Sequence, residues 1–443
     1  MNIFSRPMNY RQFIRYLLPS VMTMIFLSFY TTIDGFFVSK YAGSDALAGI
    51  NIVIPVTCII FGTAVMLATG AGAIIGEHLG RQETRRANEV FSMVSLALLI
   101  FSVVFTVAGI VYLHPIAVLL GASDRLMVHV LPYAFVVFAG TIPMAFKLFF
   151  EYLVRTDGSP AVGLKMSTLG LVLNVVLDYI FVGLLGLGTF GAALGTVISI
   201  SASAVLGLVY FLRYSHLRFC RPRFDFRVLL NACTNGSSEM LTELSTGITT
   251  LLFNLLIMRE FGEDGVAAVT ILMYIYYFFI SFYMGIAVAT APVVSYSLGA
   301  GNSRKIRETL RHSFLTIGVT AVLILAILYR GGSFIISLFV SGGNVYELTM
   351  TALLYFSPLF LFIGVNVFLS GYFTALGDGL TSAVISSLRS LIFVVLFLFT
   401  LPEIFGVNGI WLAMPFAEVS TILVSLCLYR KKGRKFHTES IIA

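Results

Sequence analysis

The sequence predicts an all-α polytopic membrane protein: twelve transmembrane helices in two six-helix bundles related as parallel repeats. Three observations carry that expectation. Hydrophobic residues make up 58% of the 443 and charged residues 11%, less than half the roughly 25% charge of a soluble domain. Apolar runs long enough to cross a hydrocarbon core of about 30 Å, which takes about 20 residues, recur along the whole chain. Glycine-bearing landmarks of the first half also return about 219 residues later. Disorder, collagen-like repeats and a disulfide scaffold do not fit this composition. Cys58, Cys220, Cys233 and Cys427 are scattered without a C-x-x-C, so no zinc ribbon or redox dithiol is expected.

The apolar runs lie at 13–38, 47–75, 90–113, 130–152, 162–187, 190–213, 231–258, 266–294, 312–330, 350–372, 382–401 and 408–430. They lack the period-2 alternation of an outer-membrane barrel, so helices are the natural choice. The first run follows arginines but leads to no small-residue cleavage site, and is read as a span rather than a signal peptide.

Lysine and arginine orient these spans. With the N-terminus inside, 22 of the 28 basic residues fall on cytoplasmic segments and 4 on outer loops, while Lys147 and Arg389 lie within spans. Both termini are therefore expected in the cytoplasm. The chain divides into a first bundle (1–213), a basic linker (214–230), a second bundle (231–430) and a tail (431–443). The net charge of +7 reads as a topogenic signal with attraction to anionic membrane lipids, not as a nucleic-acid surface.

The repeat is visible residue by residue. Gly43-Ser44-Asp45 matches Gly262-Glu263-Asp264, and Leu79-Gly80 with Arg85-Arg86 matches Leu298-Gly299 with Arg304-Lys305. Gly158 matches Gly377, and Gly188-x-x-Gly191 matches Gly406-x-x-Gly409. Six spans is an even number, so both copies enter the membrane in the same direction, with a cavity between them near the midplane. Alternating access by two rocking bundles suits that arrangement.

Other chemistries find no support. Glycine is never followed by lysine, so the chain has no phosphate loop and is expected to use no ATP. Gly72, Gly76 and Gly80 read as small-xxx-small helix packing. No H-E-x-x-H or G-x-S-x-G occurs, and the six histidines are scattered. No enzyme, cofactor or metal centre is expected.

Charges inside spans cost roughly 2.5–3.5 kcal/mol each on insertion scales, so each needs a reason. Asp34 in the first span and Asp178 in the fifth can reach one depth, and Asn174 lies one helical turn from Asp178. Two carboxylates beside an amide can hold a proton or a small cation such as sodium; a helix cap beside Gly35 is the plainer account of Asp34. Positions 219 residues on are Phe253 and Phe397, which confines this acidic site to the first bundle.

The second bundle carries Glu239 and Glu243 in the seventh span, Arg389 in the eleventh and Glu418 in the twelfth. Arg389 with Glu418 suits a packing pair, whereas Glu243 and Glu239 suit a cavity that attracts cations. Lys147, Glu151 and Arg155 form an i, i+4, i+8 ladder, expected to be solvated. Tyr274 and Tyr277, with Tyr276 between, can line a pocket for flat cations or simply pack.

At these residues the chain resembles the multidrug and toxic compound extrusion (MATE) family of secondary transporters. The likeness spans the whole chain. It rests on Pro19, Asp34 and Gly43, Leu79-Gly80 with its basic cluster, Asn174-x-x-x-Asp178, Gly188-x-x-Gly191-Ala192-Ala193-x-x-Thr196 and Gly377-Asp378. The prokaryotic DinF-like branch implies proton or sodium coupling at Asp34, Asn174, Asp178 and Thr196. The NorM-like branch uses a seventh-span Glu, matched by Glu243, and a tenth-span Asp, where this chain offers Asn366.

The resemblance implies antiport of organic cations or amphipathic drugs in a prokaryotic plasma membrane, by a monomer. A lipid-linked oligosaccharide flippase of the wider superfamily is the alternative. Such a flippase favours arginine in its cavity, and the embedded charge here is mainly acidic.

Overall fold

A computed structural model of the chain describes residue 4 and residues 8–442, apart from the side chains at positions 31, 32, 34, 36, 44 and 433–442. Among the described residues there are fifteen α-helices and no strand. The first span is α1 (Tyr10–Ala42), opened by a capping box in which Asn9 Oδ1 accepts from the Gln12 amide at 2.9 Å and Gln12 Oε1 accepts from the Asn9 amide. There follow α2 (Ser44–Gly80), α3 (Thr84–Val111) and a short α4 (Leu113–Leu119). The fourth span is a bent pair, α5 (Asp124–Ala139) and α6 (Thr141–Thr156), meeting at 55°. The fifth, α7 (Pro160–Asp178), continues through a π-helical stretch at Tyr179–Leu184, and α8 (Gly188–Arg213) is the sixth.

Next comes α9 (Phe226–Gly299), with 74 residues. Straight, it would reach roughly 110 Å, several membrane thicknesses. It is instead two spans, hinged at Gly262, whose φ of 65° and ψ of −154° no other residue type adopts readily. The ninth span is α10 (Ser303–Ser337). The tenth joins α11 (Asn344–Phe356) to α12 (Ile363–Ala375) through a 3-10 turn, with a 41° bend. α13 (Gly379–Ser387), a π stretch at Leu388–Ile392 and α14 (Phe393–Phe405) make the eleventh, and α15 (Gly409–Ile442) the twelfth. Twelve crossings of the expected kind result.

The repeat is conformational as well as sequential. Gly43 and Gly262 both have positive φ (88° and 65°), as do Gly158 and Gly377 (83° and 77°). Gln82, the one non-glycine with positive φ among the described residues, faces Gly301 across the same 219-residue shift (63° and 66°). The bend at Gly140 corresponds to the 3-10 turn at Ser357–Leu361.

Two large apolar clusters fill the molecule, with a small third around Val38 and Val182. One runs from Val53 to Ala232 and the other from Phe253 to Ala417. The start of α1 belongs to the second cluster through Phe13, Tyr16 and Leu17, with the Tyr16 hydroxyl donating to the Ala289 carbonyl. Its later part reaches the first bundle, where the Tyr30 hydroxyl meets Ser199 Oγ at 2.9 Å. α1 thus crosses the seam between bundles.

Elsewhere the seam is α2 against the two halves of α9. Gly70 rests on the Ala232 backbone, Gly236 on Met66, Gly76 on Ser295, Gly80 on Tyr296 and Gly299 on Glu77, each so close that a Cβ would collide. This is small-residue packing, and it seals the seam at the end carrying Gly80 and Gly299. Further along α9, a Cβ on Gly247 would meet nothing within 4 Å.

The linker between α8 and α9 is fastened down. The His216 amide donates to Asp157 Oδ1 at 3.2 Å, the Arg218 amide to Asn88 Oδ1 at 3.0 Å and the Cys220 amide to Ser92 Oγ at 2.9 Å.

Candidate transport site

In the first bundle the polar site is built by α7 and α8. Asn174 and Asp178 lie one turn apart on the buried face of α7, both with no exposed surface. α8 presents Thr196, buried, and Gly195, where an added Cβ would collide with the Asp178 carboxylate. Gly195 therefore gives the carboxylate its room. Both side-chain atoms of Asn174 lack a hydrogen-bond partner among the described residues. A buried amide left so costs about 1–3 kcal/mol, which a bound cation or water would recover.

The Tyr30 hydroxyl, one turn before Asp34, also lies 3.4 Å from the Thr196 carbonyl and donates to it. α1 is thereby pinned beside the cluster. Asp34 sits on α1, but its side chain lies outside the described residues. The structure gathers Asn174, Asp178 and Thr196. Tyr30, Ser199 and Gly195 were not picked out by sequence; the glycine run around Gly191 was the nearest signal.

Between the bundles lies a narrow chamber of about 60 Å³, lined by Thr69 and Gly72 of α2, Tyr152 and Thr156 of α6, Glu239 and Pro292 of α9 and Thr374 of α12, with others. Glu239 reaches it. Glu243, one turn on, faces α2 across the seam, where a Cβ on Gly62 would lie 3.6 Å from its own Cβ. Neither glutamate makes an ion pair among the described residues. Tyr274 and Tyr277 do not line the chamber: Tyr274 stacks on Phe339 of α10 at 6.0 Å, and Tyr277 packs edge-on against Tyr276.

Arg389 lies 3.6 Å from Glu418. Asn366 Nδ2 donates to Glu418 Oε2 at 2.7 Å, and Ser425 Oγ donates to Asn366 Oδ1. This is the packing pair expected, with Asn366 added to it. A hydroxyl chain runs nearby, from Thr374 to Ser382 at 2.8 Å, Ser382 to Ser370 at 2.8 Å and Ser370 to Ser386 at 2.8 Å; serines spaced along α12 and α13 gave no distinctive sequence signal.

One expectation is corrected. The Lys147–Glu151–Arg155 ladder is not solvated: Glu151 and Arg155 have no exposed surface and Lys147 is 8% exposed. Glu151 takes Lys147 at 2.6 Å and Arg155 at 3.4 Å, and Arg155 also donates to its own helix, at the Glu151 carbonyl. The physical reason is the bend at Gly140, which turns this face of α6 into the first bundle's core beside Phe149, Phe150 and Leu153. Arg155 therefore joins Lys147 and Arg389 as an embedded cation.

Comparison with known proteins agrees with this architecture. The MepA multidrug export protein of Staphylococcus aureus is 22% identical over 437 residues, covering 97% of this chain and 96% of that protein. MepA of Staphylococcus saprophyticus is 22% identical over 430 residues, 96% of this chain and 94% of that protein. A MATE crystal structure in complex with MaL6 superposes with a TM-score of 0.93 at 21% identity, over 98% of both chains. An outward-facing multidrug resistance MATE family transporter gives 0.91 at 23%, again over 98% of both. At these identities the solved structures speak for the fold. The MatE family model matches residues 19–180 and again 240–400, one match per bundle, and this chain belongs to that family: a multi-pass membrane transporter, not an enzyme.

Proposed function

We propose that the protein is a secondary active exporter of organic cations or amphipathic drugs, driven by antiport with protons or sodium through alternating access of its two bundles. The observation that carries the cargo class is the seam's charge: Glu239 and Glu243 stand there with no ion pair among the described residues. The embedded arginine and lysine side chains are committed to carboxylates, Lys147 and Arg155 to Glu151, Arg389 to Glu418. A cationic cargo finds attraction in that seam, and a diphosphate finds repulsion. The multidrug export named for MepA supports the same reading.

Coupling is assigned to Asp34, Asn174, Asp178 and Thr196. The unpartnered amide of Asn174 supports a bound cation or water there, oxygens replacing ion hydration. The 22-to-4 charge split supports cytoplasmic termini, and the staphylococcal origin of the MepA relatives supports a prokaryotic plasma membrane. The tight end of the seam then faces inward. The chain acts as a monomer, since each copy carries both bundles. The oligosaccharide flippase is the lesser reading, for want of uncommitted cations in the seam.

The test is efflux from cells. Asp34→Asn and Asp178→Asn should each abolish export of a cationic dye while membrane levels stay normal. Wild-type export by either variant removes that residue from coupling.

A further inference from the structure

On the flank of the first bundle, away from the seam, the inner halves of α3 and α8 and the first part of α6 enclose an open groove of about 580 Å³. It exists because small residues face it: Ser92 and Ser95 of α3, Ser201 and Ala204 of α8. Its walls are Leu99, Phe146, Phe150 and Leu208 with their neighbours, and its floor is the linker, through Phe219, Cys220 and Pro222. The floor is a fixed shelf, since Cys220 is held to Ser92 and Arg218 to Asn88.

That shelf is strongly basic. Arg213, Arg218, Arg221, Arg223 and Arg227 are all exposed, and none forms an ion pair among the described residues. Asp225, the linker's single carboxylate, is used up as the cap of α9, accepting from the Arg227 and Val228 amides. An apolar slot at membrane depth thus ends at a row of unneutralised guanidiniums, the complement of a molecule with an acyl chain and an anionic head. Fork-shaped guanidinium donors suit phosphate oxygens.

We propose that this groove is a binding site for an anionic phospholipid of the surrounding bilayer, with one acyl chain between α3, α6 and α8 and its phosphate held by Arg218, Arg221 and Arg223. Because the linker joins the two bundles, the bound lipid ties its fixed end to the first bundle.

The test uses the full chain in nanodiscs, where both leaflets are alike, so it depends on neither the assigned orientation nor transport. Trp411 is the single tryptophan. Phe219→Trp in a Trp411→Phe background therefore places the reporter at the groove, and chain-brominated phosphatidylglycerol and phosphatidylcholine serve as quenchers at equal mole fraction. Brominated phosphatidylglycerol should quench more strongly. Its advantage should fall by roughly fivefold for each arginine removed, in Arg221→Gln and then Arg218→Gln/Arg221→Gln/Arg223→Gln. Ala204→Phe, which fills the slot and leaves the arginines, should abolish quenching by both. Equal quenching by the two lipids, or quenching that survives Ala204→Phe, overturns the proposal.

Discussion

Glu243 is not held by Arg389, the embedded cation of the second bundle: Arg389 is taken by Glu418, and Asn366 stabilises that carboxylate. Glu243→Gln should thus weaken binding of a monocationic dye severalfold, disturb a neutral ligand of similar size much less, and leave the melting temperature in detergent unchanged. The effect is partial because apolar walls supply most of the binding free energy in such sites. Unchanged dye affinity with a lowered melting temperature would make it a structural residue. Glu151 behaves in the opposite way. Its carboxylate is the ion-pair partner of both Lys147 and Arg155 at a buried position, so Glu151→Gln leaves more buried positive charge uncompensated and should cost about 3–5 kcal/mol, visible as a large drop in melting temperature. No drop would mean that water reaches the ladder.

Whole helices were more legible than their ends and faces. The apolar runs gave all twelve spans because length and hydropathy are local properties. Whether Glu151 faces lipid, water or protein depends on the bend at Gly140 and on partners distant in sequence, which no local pattern carries. The pairing of Asn174 with Asp178 was legible, being one turn of one helix; Gly195 was not, since its role is the space it leaves on another helix. Helix ends contribute too. The inner end of α15 is tied to the α12–α13 turn by Lys432, 2.9 Å from Asp378, while Asp378 also accepts from the Thr381 hydroxyl at 2.8 Å. Partial burial works to raise the Asp378 carboxyl, but these hydrogen bonds outweigh it and hold it below its ordinary value. A depressed pKa stabilises the fold above the unfolded value, about 3.9, and that contribution fades as pH falls through the folded value. Asp378→Asn should cost on the order of 0.5–1 kcal/mol at neutral pH, and the cost should shrink as the pH is lowered below the ordinary carboxyl value. A gap in melting temperature that persists in acid would assign the loss to packing.

At the scale of the molecule, the two bundles share a backbone plan and differ in chemistry. Positive-φ turns and the mid-span bends recur at one shift, yet the buried amide–carboxylate cluster belongs to α7 and the arginine–glutamate pair to the second bundle. The seam glycines of α2 and α9 close one end by direct backbone contact, a contact that must part if the bundles are to rock. Under the proposed antiport, one charge moved through 100 mV supplies about 2.3 kcal/mol, enough for a roughly fiftyfold cargo gradient. The most direct measurement is dye movement in proteoliposomes containing purified protein, with proton and sodium gradients imposed separately and nucleotide absent. Wild-type protein should accumulate a monocationic dye against its gradient under one of the two ions, with coupled movement of that ion, and Asp178→Asn should do neither. Accumulation that requires ATP in ion-equilibrated vesicles, or that survives Asp178→Asn at the wild-type rate, would contradict ion-coupled export through this site.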